Sequence, residues 1–298
     1  MKPVHDWLDV GKELGRGGFG VVYRAVERAS KKPVALKLLA PQPELDGRGG
    51  RELFEQGARK ALSNNMPGFV QILAVEEDPD CGPYVVMERL DGETLRDSLR
   101  LRSISPVEAL QIHFEIAMIL ARAHKRGLVH LDLRPANIML TSLGIRILNL
   151  GLATLVAEHR TKCLETLSSM ASFTGSAGYV APELVHGGDT MSSRSPKVDV
   201  YAWGLMLYES LVGEPAIKAT STFEMLAEHI QPAPFPIPQA WVRTPMGPLL
   251  SQTMAKAPEA RLFSAVEIEA RMCGILGNQG WIEGLATSKS FASIPSPR

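Results

Sequence analysis

Residues 130–137 read His-Leu-Asp-Leu-Arg-Pro-Ala-Asn, and a second short motif, Asn149-Leu150-Gly151, follows close behind. A long helical pattern precedes the first motif over Ser105–Arg126, with a serine cap at its start and a glycine stop after its end. A hairpin pattern follows over residues 138–148, with a glycine in the turn. The polar residues of both motifs are therefore predicted to flank a hairpin that interrupts a helical region.

The part of the chain before this region is predicted to be a small antiparallel sheet with one helix. Short runs rich in β-branched residues alternate there with glycine- and proline-containing turns. Apolar residues at helical spacing predict the helix over Arg51–Leu62. The predicted strands are Leu8–Leu14, Gly20–Glu27, Pro33–Leu39, Val70–Val75 and Tyr84–Glu88.

The rest of the chain has mainly helical patterns. Val198–Val212 is nearly all apolar, as in a helix that is buried on every side. Repeated prolines over residues 232–248 predict an irregular connector. Two further helices are predicted over Pro248–Ala255 and Ser264–Leu276, and the segment from Gly277 onward reads as loose.

Composition restricts the class of protein. The chain has 298 residues, 45% of them hydrophobic, and its 32 basic residues balance 32 acidic ones. These values are typical of a globular protein, and the balanced charge gives no overall electrostatic attraction to nucleic acid or anionic membranes. No apolar run approaches the roughly 18 residues of a membrane span, and three widely spaced cysteines suit a reducing compartment. We expect a soluble cytoplasmic protein that neither binds nucleic acid nor spans a membrane.

A glycine-rich stretch, Gly15-Arg16-Gly17-Gly18-Phe19-Gly20, lies between two predicted strands. Glycines let backbone amides approach phosphate oxygens closely, although the same pattern is equally typical of a plain hairpin. Lys37 lies on the third predicted strand, where a lone lysine is more typically a solvated charge. The order of strand, glycine loop, strand and lysine strand favours phosphate binding.

Further motifs follow in order: Gly-Ser-Ala-Gly-Tyr-Val-Ala-Pro-Glu at 175–183, Asp-Val-Tyr-Ala-Trp-Gly at 199–204 and Ala-Pro-Glu-Ala-Arg at 257–261. The whole set resembles the eukaryotic-type (Hanks-type) protein kinase superfamily over about residues 8–275, and its wording is similar to that of bacterial Ser/Thr kinases. The resemblance implies an α+β bilobal protein kinase-like fold. A five-stranded antiparallel N-lobe would span about 8–90 and a mainly helical C-lobe about 93–275, with a flexible tail or truncated linker over 276–298.

The resemblance also implies an ATP site. The glycines would cover the phosphates, Lys37 would bind the α and β phosphates, and Met87 would be the gatekeeper beside the adenine ring. The backbone of Glu88 and Leu90 would hydrogen-bond the adenine edge. The full implied nucleotide-binding set is Gly15, Gly17, Gly20, Val22, Ala35, Lys37, Met87, Glu88, Leu90 and Met139.

By the same resemblance, Asp132 is the base that orients the substrate hydroxyl, and Asn137 is a metal ligand. Lys37 and Arg134 complete the catalytic set. Arg134 stands where Ser/Thr kinases usually have a lysine, so the positive charge is kept but is carried by a planar guanidinium group. The resemblance also implies supporting roles. Ser176 would hydrogen-bond the catalytic aspartate and lysine, and Asp199 would anchor the loop that carries Asp132. Glu183 and Arg261 would form a buried ion pair, and His130 and Leu150 would belong to the structural spine of the family.

The sequence departs from the family pattern at Asn149, which replaces the metal-binding aspartate of the Asp-Phe-Gly motif. A carboxylate offers two anionic oxygens to magnesium, whereas an amide offers one neutral carbonyl. The metal site of Asn137 and Asn149 is therefore expected to hold Mg²⁺ weakly or not at all.

Two more departures concern regulation and the partner of Lys37. The family spacing places Gly57 where a helix glutamate pairs with the lysine, although two extra residues in the following connection would bring Glu55 there instead. Leu131 replaces an arginine that receives a phosphate on the activation segment, so we expect no switching by that route.

His113 and His124 are interpreted as surface or packing residues rather than metal ligands, and Trp203 and Trp241 as packing anchors. The leading functional hypothesis is a nucleotide-binding pseudokinase with absent or strongly reduced phosphotransfer that acts on a protein partner. The alternative is an active Ser/Thr protein kinase that uses Asn149 as a weak, neutral metal ligand.

Overall fold

The computed structural model of the chain describes residues 2–17, 20–39, 62, 65–149, 177–185 and 195–287. The predicted helix over Arg51–Leu62 lies outside these residues except for residue 62, which is helical. Ser176, Leu150, Glu55 and Gly57 also lie outside them.

The first lobe is a five-stranded antiparallel sheet, as predicted, with strand order β1-β2-β3-β5-β4. The first and fifth strands are longer than their sequence patterns indicated, and the fourth is shifted, since it begins at Ile72 rather than Val70 and ends at Asp78 rather than Val75. The bounds are β1 Leu8–Gly17, β2 Gly20–Glu27, β3 Pro33–Leu39, β4 Ile72–Asp78 and β5 Gly82–Glu88.

Both faces of this sheet are apolar at its centre. Because side chains alternate along a strand, Val34 and Leu36 of β3 face one side, and Ala35 and Lys37 face the other. The first face carries an apolar cluster with Tyr84. The second face carries a separate cluster that includes Val22, Ala35, Val85 and Met87. Lys37 is therefore placed on the same side of the sheet as the predicted adenine-binding side chains.

A short N-terminal helix, α1 (Val4–Trp7), covers the first face and was not predicted. Val4 is buried in the cluster with Tyr84, and its backbone N–H donates to the Asp78 carboxylate at 2.7 Å. The Tyr84 hydroxyl donates to the carbonyl of Lys2 at 2.6 Å and accepts from Trp7 Nε1 at 3.0 Å. These bonds fasten the start of the chain to the turn between β4 and β5.

The second lobe is mainly helical, so the bilobal α+β fold is confirmed. It also contains a small sheet, in the order β6-β7-β8. Its strands are β6 Gly92–Thr94, β7 Ile138–Thr141 and β8 Gly144–Ile147. The helices are α2 Leu95–Leu101, α3 Pro106–Lys125, α4 Pro182–Val185, α5 Pro196–Val212, α6 Thr222–Ile230, α7 Gln239–Val242, α8 Met246–Thr253, α9 Ala265–Leu276 and α10 Gln279–Thr287.

The two lobes are joined by backbone pairing as well as by the connection after β5. Val70 N–H donates to the Ile147 carbonyl at 3.0 Å, and Ile147 N–H donates to the Gly68 carbonyl at 2.8 Å. Gly68 has φ +94°, and a Cβ there would lie 2.5 Å from the Ile119 side chain of α3. Glycine is required at this position because the loop presses against the long helix.

Two sequence predictions need correction. The segment 276–298 was expected to be a flexible tail, but residues 279–287 form helix α10, and Leu285 is buried against the main core. The serine and glycine content suggested a loose segment, whereas tertiary packing of a few apolar residues stabilises a helix. The proline-rich connector also contains one turn of helix, α7, which buries Trp241.

Asp78 provides a test of the N-terminal attachment. Its carboxylate accepts backbone N–H groups from Val4, Cys81 and Asp80, and these bonds hold the pKa of Asp78 below its usual value. We expect Asp78→Ala to lower the free energy of unfolding by about 1–3 kcal/mol at neutral pH, as measured by urea denaturation.

The pH dependence of this difference has a definite sign. A carboxyl group with a depressed pKa stabilises the fold above its unfolded pKa and loses that effect as pH falls through its folded pKa. The stability gap between Asp78→Ala and the unmodified chain should therefore shrink in acid. Asp80→Ala removes the same charge from the exposed part of the same turn and is the control. An equal loss in both variants would contradict the role of Asp78.

Candidate functional site

Lys37 is buried beneath the sheet of the first lobe, with only 6% of its surface exposed. Its Nζ donates a hydrogen bond of 3.0 Å to Oδ1 of Asn149. Burial lowers the pKa of Lys37 to about 8, although the negative charge of Asp132 opposes this effect. The lysine thus reaches the second lobe and meets an amide where the family pattern has a carboxylate.

A row of hydrogen-bonded side chains continues from Lys37 to Asp132. We call its four members the polar row: Lys37, Asn149, Asn137 and Asp132. Asn149 Nδ2 donates to Asn137 Oδ1 at 3.0 Å. Asn137 Nδ2 in turn donates to Asp132 Oδ2 at 2.8 Å and to the Asp132 backbone carbonyl at 2.6 Å. The structure therefore brings together the predicted lysine, the two predicted metal ligands and the predicted catalytic base.

The loop over residues 130–137 carries Asp132, and we call it the catalytic loop after the role predicted for it. A buried carboxylate attaches this loop to α5. Asp199 accepts the backbone N–H groups of His130 at 2.7 Å and Leu131 at 2.9 Å, and it accepts from His124 Nε2 at 2.9 Å. The expected anchoring role of Asp199 is confirmed. Burial disfavours its charge, but the hydrogen bonds outweigh burial and hold the pKa of Asp199 below its usual value.

The rings of His124 and His130 have defined tautomers in this arrangement. His124 Nδ1 accepts from the Ala265 backbone, so the proton on its ring is at Nε2 and points at Asp199. His130 Nδ1 accepts from Asp132 N–H at 3.3 Å, and its Nε2 donates to the Leu148 carbonyl at 2.7 Å. His130 thereby links the catalytic loop to the segment that ends at Asn149.

Leu131 and Asn149 both adopt left-handed backbone conformations, with φ of +68° and +66°. Asparagine tolerates this region, whereas leucine is strained there by about 1–2 kcal/mol. The two flanking hydrogen bonds to Asp199 hold Leu131 in place. Its buried side chain lines a small space with Leu184 and Val198, so this position is apolar rather than a receptor for phosphate.

Arg134 lies beside Asp132, the predicted base, with its Nε 3.6 Å from Asp132 Oδ2. Close by in the second lobe, the Tyr179 hydroxyl donates a short hydrogen bond to Glu209. Burial raises the pKa values of both Tyr179 and Glu209. This Tyr–Glu pair was missed from the sequence, because the two residues are 30 positions apart and neither belongs to a distinctive spacing.

The predicted nucleotide-binding residues lie on β1, β2, β3, β5 and β7, except for Leu90. Val22 pairs with Lys37 across β2 and β3, and Ala35 pairs with Met87 across β3 and β5. Met139 lies on β7, two residues after Asn137. Glu88 ends β5, and Leu90 follows it in the connection between lobes.

The glycines of the loop differ in what they do. Gly20 has φ +127°, and a Cβ there would lie 1.9 Å from the Leu38 carbonyl, so its glycine is required by the pairing of β2 with β3. A Cβ at Gly15 or Gly17 would meet nothing within 4 Å. Both lie at the exposed end of β1, and the packing of the described residues does not require glycine at either position.

The predicted ion pair and packing residues are confirmed. Arg261 donates to both carboxylate oxygens of Glu183, at 2.7 and 2.6 Å, and its side chain is fully buried. Trp203 and Trp241 are buried in the main core.

His113 and His124 are both buried, so the surface alternative is wrong for each. His113 bonds Ser210, and burial lowers the pKa of His113 to about 3. His124 also supports the catalytic loop, a role that sequence spacing missed because Asp199 lies 75 residues away. Among the described residues, no group of His, Cys, Asp or Glu side chains is arranged to hold a metal ion.

Comparison with known proteins gives consistent results. A sequence model of the protein kinase domain matches residues 8–268. The chain is 31% identical over 277 residues to serine/threonine-protein kinase PknB of Mycobacterium tuberculosis, covering 89% of this chain and 42% of that protein. It is 32% identical over 282 residues to a probable serine/threonine-protein kinase of Streptomyces coelicolor, covering 89% of this chain and 40% of that protein. The chain thus spans about two-fifths of the length of these curated relatives.

The anchoring by Asp199 predicts a large effect of a small change. Asp199→Asn places an NH₂ group among three converging N–H donors, so we expect the free energy of unfolding to fall by about 2–4 kcal/mol. Hydrogen exchange at the His130 and Leu131 amides should also become faster. Glu214→Gln changes an exposed carboxylate paired with Lys218 and should shift stability by less than about 1 kcal/mol. Unchanged exchange at both amides in Asp199→Asn would refute the anchoring role.

Proposed function

The chain belongs to the protein kinase family, and from this premise we propose that it binds ATP with absent or strongly reduced phosphotransfer and acts by binding a protein partner. The observation that supports reduced transfer is Asn149, which lies between Lys37 and Asn137 in the polar row. Phosphoryl transfer depends on neutralising charge at the transferring group, and loss of one well-placed stabiliser typically costs about 100–1000-fold in rate. A neutral amide offers much less of this effect than a carboxylate–metal pair.

The alternative of an active Ser/Thr protein kinase draws support from the rest of the site. Asp132, Lys37, Arg134 and Asn137 occupy the positions that the family pattern assigns to phosphotransfer, and the curated relatives named above carry serine/threonine kinase names. In this alternative, Asn137 and Asn149 share a weakly held metal ion, and turnover is slow rather than absent.

The partner is proposed to be a protein, either as a substrate or as a binding partner. The balanced charge of the chain gives no support for nucleic acid as a partner. In the described part of the chain, no helix has both the length and the apolar character that crossing a bilayer requires. A cytoplasmic location of this domain is part of the proposal.

Restoring the carboxylate tests the reduced-transfer proposal directly. We expect Asn149→Asp to raise transfer of radiolabelled γ-phosphate, to the chain itself and to a generic basic protein, by about 100-fold or more. The double variant Asn149→Asp, Asp132→Asn should abolish the gain, since it removes the proposed base. Substantial and equal activity in the unmodified chain and in Asn149→Asp would overturn the pseudokinase proposal in favour of the active kinase.

The partner of Lys37 is tested separately, because residues 55 and 57 lie outside the described residues. If Gly57 faces the lysine, Gly57→Glu supplies a missing ion pair and should tighten ATP binding several-fold in a calorimetric titration, whereas Glu55→Ala should leave it unchanged. Weaker ATP binding in Glu55→Ala, with no gain in Gly57→Glu, would show that Glu55 is the partner.

A further inference from the structure

We infer that the Asn149 side-chain amide takes the place of a cation, so that the site accepts the phosphates of a nucleoside di- or triphosphate without a divalent metal. The inference rests on the nucleotide binding proposed above and specifies the chemical form of the ligand. It is argued from the hydrogen bonds within the polar row, and it does not depend on the rate of phosphotransfer.

The orientation of the Asn137 amide is fixed by Asp132. The Asn137 NH₂ group donates to two oxygens of that one residue, the side-chain Oδ2 at 2.8 Å and the backbone carbonyl at 2.6 Å. Reversing the amide would set its oxygen against both acceptors. Asn137 Oδ1 must therefore point away from Asp132 and toward residue 149.

An oxygen in that position requires either a cation or an N–H donor opposite it. Asn149 supplies the donor, since its Nδ2 lies 3.0 Å from Asn137 Oδ1. An aspartate at 149 would place a second oxygen at that distance, and two oxygens approach so closely only with a bridging metal, water or proton. The amide hydrogen thus occupies the place between residues 137 and 149 that a metal would need.

The other end of the Asn149 amide is fixed as well. Its Oδ1 accepts from Lys37 Nζ at 3.0 Å, which prevents the amide from turning its oxygen toward Asn137. Both carbonyl oxygens that the family pattern would present to magnesium already accept N–H donors. Mg²⁺ requires several oxygen ligands in near-octahedral geometry, usually with carboxylates among them, so the residues present do not fit this ion.

The charge of the polar row and its neighbour Arg134 favours a bare phosphate. Lys37 and Arg134 are cations and Asp132 is the single anion among these five residues, whereas an aspartate at 149 would leave no net charge. A phosphate chain without metal is strongly anionic and is repelled by each nearby carboxylate. Asparagine at position 149 removes one such repulsion.

The test measures binding of ADP and of ATP by isothermal titration calorimetry, with excess EDTA or with saturating MgCl₂. For the unmodified chain we expect dissociation constants within about threefold of each other in the two conditions. For Asn149→Asp we expect binding in EDTA to be about 10–100-fold weaker than in MgCl₂, because the added carboxylate then needs a cation to screen it. Asn278→Asp makes the same chemical change at an exposed position before α10 and should behave like the unmodified chain.

Each outcome separates this inference from the proposed function. Tight binding by the unmodified chain only in MgCl₂ would overturn the inference and leave nucleotide binding intact. Metal-independent binding by both the unmodified chain and Asn149→Asp would show that Asn149 is not the cause, and would also overturn it. No binding of either nucleotide in any condition would refute nucleotide binding itself. If Asn149→Asp fails to fold, a requirement for MgCl₂ in the unmodified chain would still overturn the inference.

Discussion

The buried carboxylate of Asp199 is the constraint on which the rest of the site depends. A charge in the core is tolerated only when it is hydrogen-bonded, and here the donors are two successive amides of the catalytic loop and one imidazole. Displacement of the loop would leave the buried Asp199 charge without two of its hydrogen-bond donors. Helix α5 is enclosed by the main core, so Asp199 holds the loop that carries Asp132 in a fixed position. Asp132 in turn orients Asn137, which bonds Asn149.

Much of the fold could be predicted because its elements have strong local patterns. The short β-type run of Pro33–Leu39 predicted a strand and the apolar run of Val198–Val212 predicted a buried helix, and the structure has both. Helices α1 and α10 were missed because each is stabilised by a few apolar side chains that pack on distant parts of the chain. Their own sequences carry too little periodicity to indicate a helix.

The identities of the site residues were accessible from sequence, but their mutual hydrogen bonds were not. The exchange of aspartate for asparagine at 149 is visible in the printed sequence. That its NH₂ group meets Asn137 rather than solvent depends on the orientation that Asp132 imposes on Asn137. The supporting role of His124 was hidden for a similar reason, because its partners, Asp199 and the Ala265 amide, come from two other helices that fold against α3. Which end of an amide or imidazole donates and which accepts depends on partners that are distant in the chain, so no local sequence pattern indicates it.

The N-terminal attachment has a consequence for solubility. Residues 2–7 cover the face of the sheet that carries Leu36, Tyr84 and Val86, so this face is part of the interior only while that segment is in place. A shortened chain that begins at Leu8 would expose a contiguous apolar surface on a sheet, which is a surface prone to self-association. Aggregation of such a shortened chain would then reflect an uncovered sheet face rather than a defect at the site between the lobes.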